Sequence, residues 1–214
     1  IAIAGEASDG NIIQGNWIGL GADGTTVIGT GSDGIYISGG GDNNLIGGSN
    51  SGEGNTVVGV DWAIWINGLS SGNVIRGNFV GTDSSLTVAG GNNNNVVLEG
   101  GAFDNMVGGT GATDGNFITN SGLYGIDLKP AAGAGNALLG NSIWNNAGLG
   151  IDLAFAGVLG NDLGDPDTGA NNLQNFPLLT AATTNGASID IAGTLNSTAN
   201  SYFRIEVFAS PTAD

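Results

Sequence analysis

The chain contains no cysteine and no histidine, and its 214 residues include only three basic side chains, Arg76, Lys129 and Arg204, against 19 acidic ones. Without cysteine, neither a disulfide nor a thiolate metal site can form. Without histidine as well, the Ser-His-Asp and Cys-His devices of nucleophilic catalysis are out of reach. The formal net charge of −16 sets the surface against nucleic acid and against the membrane surface, because both are held by Lys and Arg neutralising phosphates. Acidic polysaccharides such as pectate or alginate are poor partners for the same reason, unless calcium bridges the like charges. No apolar run reaches the roughly 18 residues of a membrane-spanning helix. No window carries the apolar stripe of an amphipathic helix either.

What the chain has instead is glycine, at 42 positions, and a repeat. NIIQGNWIG at 11–19 returns as NVIRGNFVG at 73–81 and as NALLGNSIW at 136–144. Between these copies stand NLIGGSNSGEGN, from Asn44 to Asn55, and NMVGGTGATDGN, from Asn105 to Asn116. The period of 62 to 63 residues holds two turns of chain, each with three short apolar segments, a, b and c. Segment b begins at Asn11, Asn44, Asn73, Asn105 and Asn136; segment c begins at Asn16, Asn55, Asn78, Asn116 and Asn141. Segment a alternates as Ile-x-Ile or a close variant: Ile1 and Ile3, Ile35 and Ile37, Ile64 and Ile66, Val96 and Leu98, Ile126 and Leu128, Ile151 and Leu153.

Alternating β-branched residues read as strands, and a fixed long period reads as a solenoid. The expected fold is all-β: a right-handed parallel β-helix of about five turns with three strands per turn, about 24 Å tall at ~4.8 Å per rung. The hand follows from the usual sense of parallel crossovers. Asparagine tolerates the left-handed backbone of a sharp corner, and stacked asparagines can form an amide ladder, so these residues read as scaffold. The pattern assigns 1–154 to the β-helix, 155–175 to an Asp/Gly/Asn-rich linker and 176–214 to a C-terminal antiparallel β cap. In that last part three alternating runs, Phe176 to Ala182, Ala187 to Gly193 and Tyr202 to Ala209, read as strands that seal the end of the coil. They could equally begin another domain. Ile1 falls inside a strand and Asp214 inside a loop, which suggests a module of a larger parent chain with further domains.

The GN-x-I-x-GN-x-IG phrases resemble the parallel β-helix repeats of large secreted bacterial surface proteins, over residues 1–154. DLGDPDTGANNLQNFPLL, from Asp162 to Leu179, resembles the exit that joins such helices to an immunoglobulin-like repeat. The resemblance extends to the pectate-lyase-like superfamily, whose members include lyases, galacturonases, tailspikes, adhesins and carbohydrate-binding modules, so fold alone leaves the chemistry open. It implies an extracellular or cell-surface location. In that superfamily the lyases resemble one another in using calcium-binding carboxylates with an Arg or Lys base, and the galacturonases in using clustered Asp with His and a basic substrate clamp. This chain lacks most of those parts, so a non-enzymatic role is expected.

The middle residue of an Ile-x-Ile strand points away from the core, so the outward column of segment a reads Ala2, Tyr36, Trp65, Val97, Asp127 and Asp152. A second column reads Ser38, Asn67, Glu99, Lys129 and Ala154. Tyr36 and Trp65 offer ring faces to the apolar faces of sugars; Asn67, Glu99, Asp127 and Asp152 offer partners for hydroxyls; Trp62 stands at the same edge. The excursions Leu20 to Gly34 and Thr82 to Asn95 are expected to wall this face. The reading is a non-catalytic carbohydrate-binding module for a neutral plant-type polysaccharide such as xylan or a β-glucan. One alternative is a structural or adhesive stalk. A second is a hydrolase or lyase using Asp127, Asp152 and Glu99, since one rung is close to the ~5–5.5 Å carboxyl spacing of a retaining glycosidase. Against that, the aspartates read as a solvated face, and Glu99 with Lys129 as an exposed pair. Trp17, Phe79 and Phe117, at one position of segment c, and Trp144 read as structural. Asp162, Asp165 and Asp167 form a candidate Ca2+ loop, with a solvated turn as the plainer reading.

Overall fold

The computed structural model describes residues 1–154 and 157–208; Phe155 and Ala156 of the expected linker, Ala209 at the end of the expected third C-terminal strand, and Asp214 lie outside the described residues. Sheet a has six strands: Ala2–Ala4, Ile35–Ser38, Trp62–Ile66, Asn94–Leu98, Ile126–Leu128 and Ile151–Leu153. Sheet b has five: Ile12–Ile13, Leu45–Gly47, Val74–Arg76, Met106–Gly108 and Ala137–Leu139. Sheet c has five: Trp17–Ile18, Thr56–Val57, Phe79–Val80, Phe117–Thr119 and Ser142–Trp144. Each strand pairs in parallel with its equivalent one turn away, which makes the molecule a parallel β-helix.

The register follows the repeat. Ile35, Ile64, Val96, Ile126 and Ile151 are successive partners, as are Ile13, Ile46, Ile75, Val107 and Leu138. Their inward side chains, with Val57, Val80 and Ile118 from sheet c, build one continuous core down the axis. Each fully buried Ile, Leu or Val stabilises by about 1.5–3 kcal/mol, so a core one side chain wide suffices because it runs the whole length.

Two amide ladders flank this core. Asn11, Asn44, Asn73 and Asn105 each donate through Nδ2 to Oδ1 of the asparagine one turn on, at 2.9, 2.9, 3.0 and 3.1 Å, and Asn136 continues by donating its backbone amide to Asn171 Oδ1 at 2.9 Å. The second ladder runs Asn16, Asn55, Asn78, Asn116, Asn141 with links of 2.8, 2.9, 2.9 and 2.9 Å. The corner chemistry is one residue earlier than the sequence suggested. The left-handed backbone belongs to Gly10, Asn43, Gly72, Asp104 and Gly135, each just ahead of a ladder asparagine, whose own role is to bond through its amide.

Beyond sheet a, the turn Ala170–Leu173 closes the last coil. Ala170 is buried, Leu173 packs on the core, and Asn171 donates its amide to Gly133 O. The expected C-terminal antiparallel sheet is present as Leu178–Thr184 against Ile189–Thr194. Among the described residues it has two strands rather than three. The alternating run from Tyr202 to Phe208 has no ladder partner among the described residues and touches the coil through Glu206 Oε2, which accepts the Gly140 amide at 2.7 Å.

Candidate functional site

Sheet a carries its outward column in the expected order: Ala2, Tyr36, Trp65, Val97, Asp127 and Asp152 are successive register partners. Tyr36 and Trp65 point away from the core and lie ring against ring at 4.4 Å, tilted by 34°. Trp62, the first residue of the same strand as Trp65, meets it edge-on at 4.4 Å and 77°. All three rings are half-buried, as are Asn67 and Glu99 in the neighbouring column.

The lower half of this face differs from the expectation. Val97 is 0% exposed, and Asp127 and Asp152 are each 2% exposed, although all three point outward. Polar partners close over the two aspartates. Lys129 Nζ sits 2.6 Å from Asp127 Oδ2, and Asn94 Nδ2 donates to the same oxygen at 2.7 Å. The Lys129 ammonium also lies 5.9 Å from the Trp62 ring centre, so it reaches both the acid and the aromatic edge. Lys129 therefore pairs with Asp127 rather than with Glu99, and the two aspartates are not a solvated face. The reason is charge: a lone cation among stacked acids is drawn to the carboxylate that burial has stripped of water. Asp152 is capped by the Gly157 amide at 3.2 Å. Burial pushes its carboxyl above the ordinary range and the neighbouring Asp127 charge adds to this, against the Gly157 amide and Lys129. Trp65 Nε1, Asn94 Oδ1 and Glu99 Oε2 are shielded from solvent and have no hydrogen-bond partner among the described residues. The aromatic end of the column is thus a shelf, and the acidic end a closed polar knot.

The two long excursions do not wall sheet a as expected. Each folds back as a short antiparallel loop, bridged Leu20 to Val27 and Thr82 to Ala89. Each is organised by one aspartate. Asp23 accepts the Thr25 and Thr26 amides and the Thr26 hydroxyl, and these bonds, the hydroxyl first, lower its pKa to about 2. Burial pushes the Asp83 carboxyl up, but the Ser85 hydroxyl and the Ser85, Thr87 and Val88 amides outweigh it and hold it below the ordinary range. The tips turn toward sheet c: Gly24 lies so close to the Trp17 ring that a Cβ there would be 2.9 Å from Cη2, and Ser84 of the second excursion stands beside the same column.

Sheet c carries the aromatic column that reads as structural in the sequence, and a groove lies over it. Trp17, Thr56, Phe79, Phe117 and Ser142 form one outward column in register. Phe79 and Phe117 stack at 5.2 Å with planes 3° apart, and Trp144 meets Phe117 edge-on at 6.3 Å. A groove of 680 Å³ runs along this column, with walls from the b-to-c excursions around Ser49 to Gly54 and Ala112 to Gly115 and a contribution from Ser84. The aromatic column itself was legible; the matched lengths of NLIGGSNSGEGN and NMVGGTGATDGN were the signal that it has walls.

Asp162, Asp165 and Asp167 do converge, offering carboxylate oxygens within 4.8 Å of one another. Burial, then the hydrogen bond and charge of Asp167, push the Asp162 carboxyl above its usual range. The donor set is the hard, oxygen-only kind that suits Ca2+. Much of it is already engaged: Asp165 accepts the Asn175 amide, Gln174 Nε2 and the Ser197 hydroxyl, and Asn175 Nδ2 donates to Asp162. No family model, curated protein or solved structure matches this chain.

Proposed function

We propose that the protein is a non-catalytic, extracellular carbohydrate-binding module of a bacterial surface protein, taking a neutral plant-type polysaccharide, xylan or a β-glucan, on the aromatic shelf of sheet a. The observation that carries this reading is the outward, half-exposed stack of Tyr36 on Trp65, buttressed by Trp62. Sugar rings present apolar C–H faces to such surfaces, and stacking them there removes apolar area from water. Asn67 and Glu99, one column over, supply donors and acceptors at the edge of the shelf. The parallel strands beneath it are paired rung to rung and an amide ladder runs along the corner that leads from them to sheet b, so a ligand orders little on binding. A net charge of −16 favours a neutral glycan over an acidic one.

Catalysis by Asp127, Asp152 and Glu99 is disfavoured because both aspartates are 2% exposed and Asp127 is tied to Lys129 and Asn94. A general acid or nucleophile must reach the bond it breaks. The stalk alternative draws on the two ladders, which make the coil a stiff rod.

Affinity electrophoresis against xylan, mixed-linkage β-glucan and polygalacturonate tests the reading. Retardation by a neutral glycan, reduced in Tyr36→Ala and Trp65→Ala, supports it. No retardation by any glycan leaves the stalk. Release of reducing sugar that disappears in Asp127→Asn would make the protein an enzyme.

A further inference from the structure

Sheet c holds a second concave surface, on a different side of the coil from the shelf. Its 680 Å³ lie within the roughly 300–1,000 Å³ of ligand pockets. In a chain with 19 acidic residues, none of the described residues that line this groove carries a charge, and the two acids of the wall segments, Glu53 and Asp114, lie outside the lining, held by Asn50 and by Ser49 and Gly111 respectively. Its floor carries Trp17, Thr56, Phe79 and Phe117 on successive rungs, and its walls are hydroxyls, amides and glycine backbone. We propose that this groove is a separate binding site for a linear neutral glycan lying along the coil axis across successive rungs.

Three features favour that ligand. An uncharged lining in an acidic protein imposes no desolvation cost on charged groups when a neutral chain displaces water, whereas a charged polymer would find no counter-charge there. An aromatic floor with hydroxyl and amide walls matches the amphipathic section of a sugar chain, which is apolar on ring faces and polar at the rim. A peptide, by contrast, gains most of its affinity by adding to a sheet edge, and the three interior strands of sheet c, which carry Thr56, Phe79 and Phe117, are already paired to the turns on either side.

The groove is also built in advance. Ser49 of one wall donates its hydroxyl to Asp114 Oδ1 of the other at 2.6 Å, across two turns of the coil. The Gly77 amide donates to Asp114 O at 3.0 Å, and the Gly48 amide to Arg76 O at 2.9 Å. Arg76 Nη1 stands 3.9 Å from the same Asp114 carboxylate. The walls are locked to each other and to the floor before any ligand arrives, which keeps the ordering cost of binding low.

The inference shares its ligand class with the proposed function but not its residues, so the two can fail separately. Isothermal titration of the full chain with xylohexaose and cellohexaose reads affinity and stoichiometry. Trp17 is 58% exposed, so Trp17→Ala removes floor without opening the core, and Ser84→Trp fills the groove from its rim. Circular dichroism confirms that each variant folds. Either change is expected to weaken one class of sites about tenfold or more, leaving any binding removed by Trp65→Ala in place. Full binding in both groove variants overturns the inference, whatever the shelf does. Binding lost in the groove variants but untouched by Trp65→Ala upholds the groove and removes the shelf. Absence of binding to either oligosaccharide overturns both, and equal binding of oligogalacturonate overturns the assignment to a neutral ligand.

Discussion

Asn78 shows what one residue contributes to this fold. Its Oδ1 accepts both the backbone amide and Nδ2 of Asn55, and its Nδ2 donates to Ile46 O, Arg76 O and Asn116 Oδ1. Removing it strands several buried polar atoms, each costing about 1–3 kcal/mol. Asn78→Ala is therefore expected to lower stability by about 3 kcal/mol or more, while Asn11→Ala, at the exposed end of the other ladder, should cost less than about 1 kcal/mol; denaturant midpoints of the two variants check this. Asp152 acts in the opposite sense. Its folded-state pKa lies above its unfolded value, so the native state binds the extra proton and stability falls as pH rises through that window. Replacing it with Asn should raise the melting temperature at pH 7 and flatten the melting profile in mildly acidic buffer. A variant no more stable than the parent at pH 7 would mean the carboxylate is better accommodated than its burial implies.

At the scale of elements, the coil and the C-terminal hairpin have different physical footing. The interior strands of sheets a, b and c sit between partners on both sides over a buried core, whereas every residue of Leu178–Thr184 and Ile189–Thr194 is exposed. A lone two-stranded sheet without a buried face is marginal in water. Hydrogen exchange should therefore show slow amides in Ile64–Ile66 and Val96–Leu98 and fast ones through the hairpin; comparable protection would mean that another surface covers the hairpin. The coil was legible in the sequence because its signal is redundant: the Ile-x-Ile phrases and the paired asparagines repeat in every turn, and they place Tyr36 beside Trp65. The hairpin boundaries were not. A single alternating run carries no second copy to fix its register, and the run at Tyr202 alternates without finding an edge to join.

For the whole molecule, electrostatics dominates what packing leaves over. Each of the three bases is matched to an acid, at Arg76–Asp114, Lys129–Asp127 and Arg204–Glu206, and the net charge of −16 remains as self-repulsion. Raising the ionic strength from ~0.01 to ~0.15 M shortens the screening length from about 30 to about 8 Å. The melting temperature should rise with it, by about 2–4 °C for each kcal/mol of repulsion removed. An unchanged or falling value would show that the acids are too far apart to repel. The candidate site was only half readable in sequence for a related reason. Alternation tells which side of a strand a residue takes, and it did so correctly at Asp127 and Asp152. It does not tell what folds over that side, and there a single lysine, an asparagine from the strand above and the amide of Gly157 decided the outcome.

The amide columns have one more consequence. Asn11 and Asn73 stand in the same backbone setting, each behind a left-handed glycine with φ of 66° and 63°, and each donates through Nδ2 to the ladder asparagine of the next coil. Excising residues 11–72 and splicing Gly10 to Asn73 would bring matching donors and acceptors together again. The height of this molecule is therefore adjustable in whole coils, like a stack of interchangeable washers, with no side chain needing to be rewritten at the join.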